Sequence, residues 1–442
     1  MAWGRTTWTL LAAAALCGGC RDDGGGDAES TSTGSASTGP SSSTASEGTD
    51  SDASTTQVQP TTVGSTLGTT AFETETETGF DTEFDTDTDT GPITCNDGTV
   101  AAGELCFGPP TIIESGRSTA VLALADFDGD GAPDLVAGHD DGLTVRYGLG
   151  DGTFEEPEDF LAGQGVLALA VGELDDTLGP DLVVATPSND TVTLWLAVDG
   201  SFSAGIPFLT GSGPRALALG DVDGDGNVDI AIAHEAGDDI RVARGDGSGG
   251  FTPTPAVAAG TSPLGLAAAE LNGEPGDELA VANFGSGNIG LYLGGDGPTP
   301  PLTLAAQAGP RDVVLGDFDD DGDVDIGAIH QEAGTAGFWP GGGDGTVGKL
   351  VAIPTGANPR DALAADVDAD GVPDMIVALQ SGNVIGVLRG VPGRGLGAPE
   401  VFATMSAPTA VAAADLDGDG ALDLVTASAG PQGGIAVILA TP

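Results

Sequence analysis

An acidic nonapeptide returns seven times in the last three-quarters of this 442-residue chain, each copy opening a short apolar strand. The first copy runs Asp126-Phe127-Asp128-Gly129-Asp130-Gly131-Ala132-Pro133-Asp134, and the others begin at Glu173, Asp221, Glu270, Asp317, Asp366 and Asp415. The intervals are 47, 48, 49, 47, 49 and 49 residues. A period near 48 residues with strand-like content signals a propeller or a solenoid. Acids at loop positions one, three, five and nine are spaced to wrap an oxygen-seeking cation. The repeat therefore bears on fold and on ligand at once.

Each unit reads as four strands. In the third repeat, Arg215–Gly220 alternates and enters the acidic loop, and Asp229–His234 leaves it. Asp239–Ala243 follows a turn, and Phe251–Ala259, beyond a Gly-rich stretch, is expected to form a fourth strand. That last segment carries prolines, which an outer edge strand tolerates and a central one does not. The first two strands are small and apolar, as suits strands sandwiched between neighbouring units. The seventh repeat stops at a third strand, Ile435–Leu439, and its missing fourth lies upstream at Thr111–Ser115. The expected fold is all-β: a seven-bladed propeller over 111–442 whose N-terminal strand completes the last blade. Ring closure removes open sheet ends, whereas an open solenoid needs polar caps not visible here.

The loop residues, with the Gly-Asp-Gly turn that follows, resemble the FG-GAP or VCBS repeat family, best known from integrin alpha-chain propellers. The resemblance covers roughly 111–442 and implies calcium in the loop between the first and second strands of a blade. Carried over by position, the implied ligands are Asp126, Asp128, Asp130 and Asp134 in blade one, and Asp221, Asp223, Asp225 and Asp229 in blade three. Blade five supplies Asp317, Asp319, Asp321 and Asp325, with the carbonyl of Asp323. Blade six supplies Asp366, Asp368, Asp370 and Asp374, and blade seven Asp415, Asp417, Asp419 and Asp423. The chemistry agrees independently of the family: calcium takes about six to eight oxygens in flexible geometry. A glycine at position six (Gly131, Gly226, Gly322, Gly371, Gly420) permits the backbone reversal. About five calcium sites are expected. Two loops depart from the pattern. Blade two has Glu173, Asp175, Thr177 and Asp181 with Leu178 at position six. Blade four has Glu270, Asn272, Glu274 and Glu278 with Pro275 there. Weak or absent metal is expected in both, with the turn held by hydrogen bonds and Asp176 or Asp277 as the residues that could rescue partial binding.

Charge points the same way. The chain has 67 acids against 12 Lys+Arg, a formal net charge of -55. Such a surface repels nucleic acid and anionic membranes and favours divalent cations or basic partners. The N-terminus reads as an export address (1–19): Arg5, then apolar Trp8–Leu16, then Cys17-Gly18-Gly19-Cys20. The apolar run is too short for a membrane span and suits a signal peptide. It resembles a bacterial lipoprotein signal with lipidation at Cys20, although Cys17 stands where that family has Leu; ordinary secretion is the alternative. A lipid at Cys20 is then the only expected membrane attachment. Residues 20–94 are Ser, Thr, Gly and acid with few large apolar side chains, which cannot offset the entropy of ordering. They read as a charged stalk or an inert linker. Cys95 and Cys106 bound a short segment (95–110) and, as an even pair in an oxidising compartment, are expected to form a disulfide. The segment looks like the short cysteine-rich repeat of myxobacterial surface proteins.

The face opposite the acidic loops offers two coincidences. Arg215, Arg311 and Arg360 each lie six residues before the first acid of their loops, at the start of the inner strand. They are candidates for an anionic ligand at one channel mouth, or else partners of local acids such as Asp312 and Asp361. His139, His234 and His330 each lie thirteen residues after the first acid. Alternate blades should hold them too far apart for one metal, so repeat inheritance is the better reading. Trp195 and Trp339 fall in third strands and read as packing residues. No nucleophile elbow, phosphate loop or Ser-His-Asp pattern is present. The expected role is binding or adhesion to a surface glycan or protein, not catalysis; a polysaccharide-acting hydrolase or lyase working from the propeller face is the alternative.

Overall fold

A computed structural model describes residues 102–103, 105–160, 165–175, 177, 179–198, 201–203, 205–294, 301–356, 358–429 and 433–441. The expected signal peptide, stalk, Cys20 and Cys95 lie outside the described residues. Seven antiparallel sheets are built on four strands each, in the order inner, second, third, outer. Blade five shows the plan: Pro310–Gly316, Asp325–His330, Thr335–Trp339 and Val351–Pro354. Blade seven takes Pro408–Ala414, Asp423–Ser428 and Gly434–Ile438 from the end of the chain and its outer strand, Thr111–Ile113, from the start. The closing pairs are Thr111↔Val437, Ile112↔Ala436 and Ile113↔Ile435. The inner strands of neighbouring blades touch around the whole circle, the seventh against the first.

Seven apolar clusters hold the ring, each formed between two adjacent blades. Blades five and six share Phe318, Phe338, Met375 and Val377, and blades seven and one share Leu122, Leu135, Val425 and Ile435. Every second strand is buried along its full six residues. Each fully buried Leu, Ile or Val contributes about 1.5–3 kcal/mol. Because a blade has no core of its own, its stability depends on its neighbours.

One boundary differs from the expectation. The outer strand of blade three is two short pieces, Phe251–Pro253 and Val257–Ala258, both paired with Asp239–Gly245. Pro255 lies in the gap, where a missing N–H interrupts the ladder. Residues 105–110 of the Cys-bounded segment run against the end of the chain in blade seven. Phe107 bridges Ala440, Gly108 N donates to Leu439 O at 2.8 Å, and Phe107 meets Phe402 edge-on with centroids 5.0 Å apart. Blade two carries an added hairpin, Ala197–Val198 with Ser201–Phe202. The helical turn among the described residues is 3₁₀, Pro187–Asn189, and no described helix is long and apolar enough to cross a membrane.

Candidate metal centres

Each acidic loop is organised by its own carboxylates. In blade five Asp317 Oδ1 accepts from Asp321 N at 3.1 Å and its Oδ2 from Gly322 N at 2.9 Å. The position-six N–H to position-one Oδ2 bond recurs in blades one, three, six and seven at 2.8–3.0 Å. It requires the left-handed backbone of Gly322, φ +93°, which a side chain would strain even though nothing lies within 4 Å of its missing Cβ. The loop thus uses backbone donors to aim its side chains before any ion arrives.

The position-nine acid does something else. Asp325 is fully buried; Oδ2 accepts from Phe318 N at 3.0 Å and Oδ1 from Gly341 N at 2.7 Å, tying the loop to the end of the third strand. The same two-armed clamp is made by Asp134, Asp181, Asp229, Glu278, Asp374 and Asp423. Burial pushes the carboxyls of Asp134, Asp325, Asp374 and Asp423 up to about 7 and that of Asp229 to about 6, against the lowering effect of those N–H bonds. Asp181 and Glu278 are raised for the same reason. Cations would remove this penalty, because buried carboxylates are costly until compensated.

In five blades the carboxylates converge enough to hold a metal ion. Oxygens of Asp126, Asp128 and Asp134 lie within 4.8 Å of one another, as do those of Asp317, Asp319 and Asp325, of Asp366, Asp368 and Asp374, and of Asp415, Asp417 and Asp423. Blade three gathers Asp221, Asp223 and Asp225 instead, with Asp229 kept to its clamp. Asp130, Asp321, Asp370 and Asp419 stand outside the converging sets of their blades; each accepts a backbone N–H two residues on, as Asp321 Oδ1 does from Asp323 N at 3.0 Å. The donor set is all oxygen, as calcium prefers. Asp319 Oδ1 is buried with no hydrogen-bond partner, which suits a ligand atom meant for a cation.

Among the described residues, blades two and four make the turn without that convergence. In blade two, Asp175 Oδ1 accepts from Thr177 N at 2.7 Å and from the Thr177 hydroxyl, which also reaches Ala197 O. In blade four, Asn272 Nδ2 donates to Glu278 Oε1 at 2.6 Å, a neutral donor facing the carboxylate where other blades gather acids. Asp277, the residue expected to help this loop, stands outside the converging sets among the described residues. Its Oδ2 accepts from Asp221 N at 2.9 Å, so the carboxylate serves blade three. Asp176 lies outside the described residues. Two arginines escaped the sequence reading. Arg244 reaches Asp223 at 3.1 Å and Arg389 reaches Asp368 at 3.0 Å, each countering the charge of a position-three acid. Both lie 23 residues after the first acid of their blade, a shared offset that could have revealed them.

The model of the FG-GAP-like repeat matches residues 126–177, 174–232, 221–274, 317–377 and 366–426, together more than half of the chain. The chain belongs to the FG-GAP-like repeat family. A comparison with curated proteins returned no match. Among solved structures, BBS1N from its complex with ARL6DN superposes with a TM-score of 0.55 at 13% identity, covering 76% of this chain and 98% of that one. Catalytically inactive virginiamycin B lyase from Staphylococcus aureus superposes at 0.51 and 12% identity, covering 75% and 99%. At such identities the likeness concerns the fold alone.

On the opposite face of this FG-GAP propeller, the inner strands of blades one and three to seven each carry a bulge at their second residue. Arg215, Arg311 and Arg360 are the bulged residues of blades three, five and six, so the irregularity re-aims their side chains. Asp312 and Asp361 do not form ion pairs with them. Asp312 Oδ2 accepts from Ala362 N at 3.2 Å and Asp361 Oδ2 from Val411 N at 2.8 Å, stapling consecutive inner strands. The histidines are local pins. His139 bridges Thr119 and Thr144, His234 contacts Thr210 and Asp239, and His330 contacts Thr335. Burial lowers all three, His330 to about 4, so they serve as neutral rings. Trp339 packs at 3% exposure between blades four and five, as a packing residue should.

Proposed function

We propose that this FG-GAP propeller is an exported calcium-stabilised binding module, displayed on a cell surface through a lipid on Cys20 and the acidic stalk. The carrying observation is the convergence of three carboxylates in each of five loops. Residues Asp126, Asp128 and Asp134, with their counterparts in blades three, five, six and seven, would hold the ions. Calcium would supply the positive charge that fixes each loop to the second strand of its blade. Metal binding free energy then becomes folding free energy, at the affinity of extracellular calcium modules, about 0.1–1 mM. Cys106, at 8% exposure, is proposed to pair with Cys95 and to pin the segment that packs beside blades six and seven.

Adhesion or ligand capture, rather than turnover, accounts for the clustered acids, since the carboxylates at positions one, three, five and nine of the five loops each have a structural or metal-facing use. The test is to present the calcium-loaded protein with immobilised surface polysaccharides and proteins, with and without chelator. Saturable binding that disappears on chelation supports the proposal. Release of shortened polysaccharide, abolished by changing one acid outside the loops, would replace binding with catalysis.

A further inference from the structure

The bulge-borne arginines sit near one another, close enough for Arg360 and Arg215 to depress the Arg311 guanidinium. Elsewhere in this acid-rich chain Arg117 meets Asp159 at 2.7 Å, Arg244 meets Asp223 at 3.1 Å, and Arg389 meets Glu400 at 2.9 Å. Arg215 keeps a looser pairing with Glu235 at 3.6 Å and donates to Leu167 O at 3.1 Å. Among the described residues, no carboxylate lies within ion-pair distance of Arg311 or Arg360. Arg311 spends Nε on the backbone oxygen of Arg360 at 2.8 Å and Nη1 on Gln331 Oε1 at 3.0 Å. Arg360 Nε is buried with no partner at all. Arg146, Arg241 and Arg394 also lack a carboxylate at ion-pair distance among the described residues; what sets Arg311 and Arg360 apart is that two such guanidiniums are neighbours, joined through the Arg360 backbone oxygen.

The acids that follow Arg311 and Arg360 in sequence are committed to other partners. Asp312 and Asp361 bond to each other, and burial raises both carboxyls, Asp361 well above the ordinary range. Their remaining oxygens face the backbone donors of Val313, Ala362 and Val411. Gly265 occupies the matching place in blade four, and a Cβ there would come within 2.7 Å of Asp312 Oδ1, so the carboxylate fills the inner wall on that side. Burial and the neighbouring positive charges of Arg360 and Arg215 pull Arg311 down to about 10, the mark of guanidiniums held together.

We propose that Arg311 and Arg360, assisted by Arg215, form an oxyanion site at the mouth opposite the acidic loops, taking a carboxylate or sulfate group of a ligand. Guanidinium donors match such groups in charge and in fork geometry. The surrounding negative surface would discourage extended polyanions while this mouth admits a single anionic group. The site lies on the opposite face from the calcium loops and deepens the binding role proposed above by naming the chemistry it recognises.

The experiment uses the calcium-loaded full chain, with sodium sulfate and sodium galacturonate titrated separately at constant ionic strength, read by calorimetry and melting temperature. Saturable binding of either probe is expected, weakened about tenfold or more in Arg360→Gln and in Arg311→Gln. Preference for sulfate or for galacturonate tells a tetrahedral from a carboxylate ligand. Arg360→Gln breaks no Nε hydrogen bond, so its anion-free melting temperature should hold or rise while its anion response vanishes. Arg394→Gln, which changes an arginine of blade six outside the mouth, serves as control. No anion-dependent heat or melting shift in the wild type overturns the site, as does a response that Arg360→Gln and Arg311→Gln both retain. Calcium-dependent melting of the same samples is read alongside; if it persists while the anion response is absent, only the oxyanion site fails.

Discussion

Blades five and four share a fold and differ in what fills the first loop. Blade five gathers Asp317, Asp319 and Asp325, one oxygen of which has no partner. Blade four places the amide of Asn272 against Glu278 and satisfies the turn internally. Blade two does the same with the Thr177 hydroxyl. Yet the position-nine clamp is present in all three, through Asp325, Glu278 and Asp181. One repeated acid therefore does two jobs. Position nine fastens the blade whether or not a cation is held, while the residues at positions one and three decide whether the loop gathers enough carboxylates to ask for one. A sequence pattern that counts acids merges these roles.

Removing calcium should separate the two kinds of blade most forcibly. At ten times Kd each site stabilises by about 1.4 kcal/mol, so five sites together are worth several. Hydrogen exchange after chelation should show second-strand amides of blades one, three, five, six and seven losing protection first, with blades two and four following only as their neighbours open. Uniform loss across all seven loops would erase the distinction.

The pH dependence should reverse with metal. Without calcium the folded state keeps protons on Asp134, Asp325, Asp374 and Asp423 up to about 7, whereas unfolded aspartates lose theirs near about 3.9. The folded state then binds more protons, so stability falls as pH rises from about 4 to about 7. With calcium the same carboxylates are held ionised, and the melting temperature should be level or rising across that window. A calcium-free protein whose melting temperature climbs from pH 4 to 7 would contradict the buried-carboxylate reading.

Substituting the clamp tests its independence from metal. Asp181→Asn and Asp325→Asn each leave one buried N–H unpaired, at about 1–3 kcal/mol by chemical denaturation in chelator. Adding calcium should widen the gap for Asp325→Asn and leave that for Asp181→Asn unchanged. The smallest effect is expected from Asn272→Asp. It removes the amide donor to Glu278, costing about 1 kcal/mol in chelator, and should make blade four responsive to calcium. Indifference to calcium in this variant would show that Pro275 and the shifted Gly276 block the loop regardless of charge.

Much of this was written in the chain. The period fixed seven units, the second strands began at the position-nine acids as expected, and Thr111–Ile113 closed blade seven. These features depend on local periodicity and on which strand was missing, and both are visible in one dimension. What escaped notice depends on contacts between blades. Nothing local shows that Asp277 serves Asp221, that Asp312 caps Ala362, or that Arg389 holds Asp368. The bulge that turns Arg311 and Arg360 aside is a matter of register, which the sequence positions of the arginines hinted at without showing where they point. The break at Pro255 was legible in principle, since a proline in a short edge strand removes a ladder donor.

The most direct measurement is the number of calcium ions bound at saturation, by equilibrium dialysis checked with native mass spectrometry, on the wild type and on Asp319→Asn. Five ions falling to four in the variant are expected from the five converging loops. Seven ions, none, or a count unchanged by Asp319→Asn would contradict the division between the two kinds of blade.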